Sequence, residues 1–179
     1  MRGPMPASDD FSRGPEKPLF ALLDRLGLAW RNTTHAPVFT VAESAEVKTG
    51  IPGGHTKNLF MKDKKDQLVL VSAHAESQLP LNQLHRALGM QRLSFTDAPL
   101  LWAALGVTPG SVTGFALMND QARQVRFVAD EALLAFETLN FHPLRNDMTV
   151  SIGRADFLAF AEATGHTVHR IDFTKIGGG

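Results

Sequence analysis

The feature that most limits the fold is a pair of apolar runs on either side of a charged turn. Leu59 and Met61 precede the turn, and Leu68 and Leu70 follow it. Alternation flanking a charged tip reads as the two strands of a hairpin. The second arm, residues 68–73, is almost continuously apolar. Such a run belongs inside a sheet, covered on both faces. In the first arm, a period of two puts Lys57 on the face of Leu59 and Met61, while Asn58 points the other way. A lysine on an apolar face either covers a sheet edge with its stem or lines a pocket that needs a cation. Spacing leaves both readings open.

Helical patterns surround this hairpin. Leu19, Leu22, Leu23, Leu26 and Leu28 recur near helical spacing, with Gly27 as a stop. Thr40 and Glu43 have capping-box spacing for a second helix, which ends in the glycine-rich loop 49–54. Residues 80–88, 98–105, 129–136 and 156–164 read as further helices, and Asp97 caps the second of these. Strands are predicted at 30–35, 92–95, 115–118, 124–128, 138–141, 148–152 and 166–172. Strands interleaved with helices, with two hairpin-like pairs, predict a single α/β (α+β-like) domain: a mixed β-sheet surrounded by helices. Residues 1–17, rich in Gly, Pro, Ser and charge, read as a flexible leader, and 174–179 as a flexible tail. The domain itself is expected over 18–173.

Composition narrows the chemistry. A chain of 179 residues, 44% hydrophobic, can bury one real core. With no cysteine there is no disulfide, no thiolate metal ligand and no thiol nucleophile. The seven histidines form no HxH or HxxxH pair, so the sequence does not indicate a metal site. No apolar run approaches the ~18 residues of a membrane span. A cytoplasmic protein is the default expectation. A net charge of +0 argues against bulk nucleic-acid binding but permits one local basic patch. Loop 49–54 leading to Lys57 does not satisfy GxxxxGK[ST], and there is no GxSxG elbow. The hairpin tip, with Lys62, Lys64 and Lys65 beside Asp63 and Asp66, is either a solvated turn or a corner facing phosphate. Residues 106–114 hold three glycines and a proline. They form either a tight connection or a loop whose backbone approaches a ligand and offers it N–H and C=O groups.

Several short motifs then stand in a telling order. They are Lys57-Asn58-Leu59-Phe60, Pro109-Gly110-Ser111-Val112-Thr113, Asn119-Asp120, and Phe141-His142-Pro143 with Asn146 and Thr149. In this order and spacing the chain resembles the YbaK/prolyl-tRNA synthetase-associated editing domains. Within them it is most similar to the free-standing alanyl-tRNA(Pro) deacylases of the ProXp-ala branch. The resemblance runs from Pro18 to about Phe173. It implies hydrolysis of alanine wrongly attached to tRNA(Pro), without metal or other cofactor. It implies tRNA(Pro) charged with alanine as partner, prolyl-tRNA synthetase as a further one, and neither DNA nor membrane. Carried onto this chain, it implies Lys57, Gly110, Ser111 and His142 as catalytic residues. Asn58, Val112, Thr113, Gly114, Asn119 and Asp120 would bind substrate. Lys62, Lys64, Lys65 and Arg92 would meet the tRNA. Residues 110–114 match the family's GxxxP signature, with Gly114 in place of the proline. Rival readings are a sibling deacylase acting on another misacylated tRNA such as cysteinyl-tRNA(Pro), and a noncatalytic tRNA- or synthetase-binding module. A small-molecule esterase is disfavoured by the missing nucleophile motif.

Overall fold

A computed structural model gives the structure of residues 2–38 and 41–176. In chain order the first elements are α1 (Glu16–Arg25), β1 (Trp30–Thr34), α2 (Val41–Gly50), β2 (Gly54–Lys62), β3 (Leu68–His74) and α3 (Leu81–Leu88). They are followed by β4 (Ser94–Phe95), α4 (Ala98–Leu105), β5 (Val125–Asp130) and α5 (Glu131–Leu134). The last are β6 (Thr138–Phe141), β7 (Met148–Gly153), α6 (Arg154–Ala163) and β8 (Val168–Ile171). Eight strands form one mixed sheet in the order β1-β7-β6-β2-β3-β5-β8, with β4 on β2. The predicted mixed α/β domain is what the chain forms. No helix among the described residues is long and apolar enough to cross a membrane.

The predicted hairpin is the middle of the sheet. β2 and β3 pair antiparallel, with Lys57 opposite Ala73, Asn58 opposite Ser72 and Met61 opposite Val69. β5 lies parallel to β3 on its far side. Residues 68–73 are all buried, because β3 feeds two cores. Leu68 and Leu70 join Phe60 in a large cluster covered by α1, α4 and α6, where Phe115, Phe141, Phe157 and Phe160 interlock. Val69, Val71 and Ala73 join Met61 in a smaller cluster under Leu84 and Leu88 of α3. Burying a side chain of this size contributes roughly 1.5–3 kcal/mol, so the strand's position in mid-sheet follows from its composition.

Two expectations are corrected. Residues 115–118, predicted as a strand, lie in a 3-10 turn, Gly114–Asn119. Thr113 starts it: its hydroxyl accepts from the Phe115 amide, and its carbonyl accepts from Ala116. The residues are apolar because the turn is packed beneath the sheet, not because it pairs with one. The leader is the second correction. Helix α1 begins at Glu16, and the described segment before it, from Arg2, is bonded to the domain. Arg2 donates to the carbonyls of Ala103 and Asn119, and Gly3 accepts from the Trp102 indole. Phe11 is buried beneath the Arg145 guanidinium, 4.8 Å from its ring centre. At the other end, Ile176 packs on the smaller core, while 177–179 and the predicted Thr40 cap lie outside the described residues.

Candidate active site

The sheet has a gap beside Lys57. β2 meets β6 only at Gly54 and His55, and meets β4 only at Met61 and Lys62. Among the described residues, positions 56–59 therefore have a backbone partner on one side only, the β3 side, since the Phe60 carbonyl accepts from the Thr96 amide just after β4. A bare strand edge offers unpaired N–H and C=O groups to whatever lies along it. One bank of this notch is the end of β6, which runs straight into His142. The other bank is β4.

Polar side chains line the β6 bank in a connected row. The Ser72 hydroxyl donates to Asn58 Oδ1, and Asn58 Nδ2 donates to Thr56 Oγ1 at 3.2 Å. Thr56 in turn donates to the Asn140 carbonyl at 2.9 Å. Buried Asn140 donates to the Pro52 carbonyl at 3.1 Å and accepts from Ser151 at 2.6 Å. The row crosses four strands, and each member's orientation is set by the next, so Asn58 presents one remaining amide proton in a fixed direction.

Two histidines stand at the end of the row. His142 Nδ1 lies 3.0 Å from the Met148 carbonyl, which can only accept, so Nδ1 carries the proton and Nε2 is left as an acceptor. His35 bonds the Ala36 carbonyl through Nδ1, and its Nε2 accepts from the Thr149 hydroxyl at 2.8 Å. The two rings are 6.4 Å apart. Burial holds His142 below its ordinary pKa, against the opposite pull of the Met148 carbonyl. Burial likewise lowers His55, whose Nε2 donates to the Ile51 carbonyl. A cavity of about 30 Å³ opens here, with Val38, Val47, Thr56, Phe141, His142 and Thr149 among its walls. Val38 is held in place by paired bonds with Asn146, each 3.1 Å.

Lys57 reaches away from this cavity. It shares a face with Leu59 and Met61, as its register predicts, and its ammonium donates to the Ser77 carbonyl. Ser77 is itself fixed by Asp130, whose Oδ2 accepts from the Ser77 hydroxyl and the His74 amide. Asp130 and Ser77 are thus the supports of Lys57. Nothing in their spacing marked them, because three segments contribute to one small triangle.

The Gly110–Gly114 loop ends on the opposite face, where Gly114 passes against Ser72, the partner of Asn58. A Cβ at Gly114 would sit 3.0 Å from Ser72 Oγ and from ring carbons of Phe141 and Phe157, so this backbone passes too close for a side chain. Gly110 has φ +90°, where glycine is favoured. The Ser111 amide closes a turn on the Thr108 carbonyl, and its hydroxyl is buried without a partner among the described residues. Its amide is therefore engaged, whereas those of Val112 and Thr113 have no partner among the described residues. A ligand touching both Lys57 and this loop must pass around the free edge of β2, since β5 closes the β3 side.

Asn119 and Asp120 are not brought to the notch. They lie at the far end of the sheet, beside Leu68 and Arg2, and both side chains bond within the domain. Asn119 donates to the Leu105 carbonyl. Asp120 accepts from the amides of Gln124 and Val125 and is bonded to buried His166 at 2.8 Å. These are structural duties, and their fixed spacing from the loop reflects the fold. Lys62, Lys64, Lys65 and Arg92 do share one corner. Asp63 builds it by accepting from the amides of Lys65, Gln67 and Gln91. Burial works against charge on Asp63, but those amides outweigh it and hold the carboxyl below its usual range.

Comparison with known proteins agrees with the geometry. Residues 35–160 match the aminoacyl-tRNA editing domain. The chain belongs to that family. It is 38% identical over 153 residues to the prolyl-tRNA synthetase associated domain-containing protein 1 of Danio rerio, covering 84% of this chain and 83% of that one. It is 30% identical over 155 residues to the prolyl-tRNA editing protein ProX of Acetoanaerobium sticklandii, covering 86% and 94%. In fold, this editing domain matches a solved chain provisionally assigned as a trans-editing enzyme for prolyl tRNA synthetase. The TM-score is 0.69 at 18% identity, over 92% of this chain and 98% of that one. The resemblance read from the sequence is thereby shown at the level of family and fold. No three His, Cys, Asp or Glu side chains cluster at metal-binding spacing among the described residues of the editing domain.

Proposed function

We propose that this chain is a trans-editing hydrolase that deacylates alanyl-tRNA(Pro). The observation that carries this reading is the open edge of β2 with a small cavity at its β6 bank. The aminoacyl end lies along the edge, with its side chain in the cavity. The cavity is small, about 30 Å³, which suits a side chain as short as alanine's methyl group. The names of the prolyl-tRNA relatives support the choice of tRNA.

An aminoacyl ester is already activated, so placement of water and electrostatic help suffice. Water adds to the ester carbonyl carbon, assisted by the free ribose hydroxyl of the terminal adenosine. The free amide of half-buried Val112 receives the oxyanion, and collapse expels the ribose oxygen, which takes the proton. Lys57 holds phosphate or ribose oxygens as a compact charge. His142, with Nε2 as acceptor, shapes the wall. Excluding glycine or serine by contact alone is hard, so the RNA supplies part of the selectivity.

The test is release of free amino acid from alanyl-tRNA(Pro), alanyl-tRNA(Ala) and cysteinyl-tRNA(Pro). Preferential release from the first, insensitive to EDTA, is expected. Preference for cysteine would make the chain a sibling deacylase. Binding without release would make it a docking module.

A further inference from the structure

Phe95 is 60% exposed, more than any other large apolar side chain among the described residues. It stands in β4, on the second bank of the notch, directly opposite Met61. Residues opposite one another in an antiparallel pair share a face, and Met61 shares its face with Lys57. Phe95 is therefore on Lys57's side of the sheet. The four residue steps from Lys57 to Met61 span about 14 Å at roughly 3.4 Å each. Four nucleotide steps along a stacked strand cover the same length, at about 3.4 Å per step.

A cationic corner adjoins the ring along the chain. Lys62 lies opposite Ser94, on the reverse face of the strand pair, Arg92 is exposed two residues before Ser94, and Lys64 and Lys65 are exposed in the adjoining turn. The Asp63 carboxylate ties the turn to Gln91, so these residues form one built corner. Its acidic groups do not cancel it. Asp63 is turned inward onto amides, and Asp97 accepts from the Leu100 amide as a helix cap. Asp66 meets Lys62 only at 3.7 Å, in a surface pair that solvent screens. A protein-binding core would be apolar and poor in lysine. An exposed aromatic next to a corner of exposed cations is instead the makeup of a single-strand nucleic-acid platform.

We propose that Phe95 is a stacking platform for an unpaired base close to the 3′ end of the RNA substrate, about four nucleotides from the reacting ester. Lys62, Lys64, Lys65 and Arg92 hold the phosphates beside it. The inference rests on the editing reading above and adds the path of the strand: acyl group at the β6 bank, unpaired base at the β4 bank.

The probe is an uncharged acceptor-stem minihelix of tRNA(Pro), with 2-aminopurine at the unpaired position next to the stem, beside a blunt-ended control. Phe95→Ala is expected to weaken minihelix binding about tenfold. Phe95→Trp should retain binding and quench the probe, Phe95→Leu should bind as weakly as the alanine variant, and the blunt control should not distinguish the variants. Circular dichroism checks that each is folded, which exposure of the ring favours. Full rescue by leucine, or equal binding by Phe95→Ala and wild type, overturns the stacking. So does unchanged RNA binding with loss of affinity for prolyl-tRNA synthetase, which assigns the ring to a protein contact. Alanine release by the wild type separates the two levels. If wild type deacylates and Phe95→Ala binds equally well, only the platform falls. If wild type neither binds nor deacylates, the editing reading falls with it.

Discussion

Lys57 has its ammonium on the Ser77 carbonyl and its stem over the smaller core. Lys57→Ala should leave a folded protein, because the freed carbonyl is half-buried and water can reach it, at a cost of about 1 kcal/mol or less. Single-turnover release of alanine should fall on the order of 100-fold, through misplacement of the ester. Lys57→Arg should restore little, since a planar fork does not replace a compact charge. A folded Lys57→Ala variant with wild-type release would make Lys57 an edge-covering residue. His142 gives a pH test. Its folded pKa lies below the ordinary 6.5, chiefly through burial, so the unfolded chain takes up the proton first as pH falls. The stability due to the neutral ring is complete above about 6.5 and is lost as pH falls below that towards the lower folded value. The urea midpoint should drop between pH 7 and 5, with His55 contributing to the same slope. His142→Gln should flatten that drop, and an unaltered slope would show that the ring is not held neutral.

At the scale of elements, the Gly110–Gly114 loop is constrained at both ends for different reasons. Gly110 needs its positive φ of +90°, so Gly110→Val should cost roughly 1–3 kcal/mol of stability and misplace the free Val112 amide. At Gly114 the obstacle is space. Gly114→Pro restores the residue of the family signature, yet its ring must displace Phe141, Phe157 or the Ser72 hydroxyl. Overpacking of this kind typically costs about 1–3 kcal/mol. Chemical denaturation of both variants checks the pair. A fully stable proline variant would mean that the aromatic cluster yields by the few tenths of an ångström required.

For the whole molecule, the N-terminal segment behaves as a strap. Phe11 is buried, and Arg145 lies over its ring while bonding Glu16 at 2.7 Å and Asp147 in a two-bond fork. Arg2 and Gly3 fasten the segment to α4 and the turn after it. Phe11→Ala should cost about 2 kcal/mol, lowering Tm by roughly 4–8 °C for a chain of this size. An unshifted Tm would show the strap to be idle. Composition could not reveal this contact, because glycine, proline, serine and charge also describe a loose leader, and the one buried aromatic among them finds its partner 134 residues away.

Periodicity by itself determined the hairpin, the burial of β3 on both faces, and the separation of Lys57 from Asn58, since each depends on a period of two and on apolar content. The helices α1, α3 and α4 were legible for the same kind of reason, from spacing and caps. The turn at Gly114–Asn119 was not, because an apolar run is equally buried as a strand or as a turn beneath a sheet. Motif order was enough for family and fold. Only the tertiary structure decided which motif residues meet. It left Asn119 and Asp120 to structural bonds at the far end and engaged the Ser111 amide in a turn. It also recruited Ser77, Asp130, Thr56 and Asn140 from separate segments. The notch itself depends on where β6 stops pairing with β2 and β4 begins, at His55 and Met61. That register is set by packing among strands distant in sequence, and no local pattern records it.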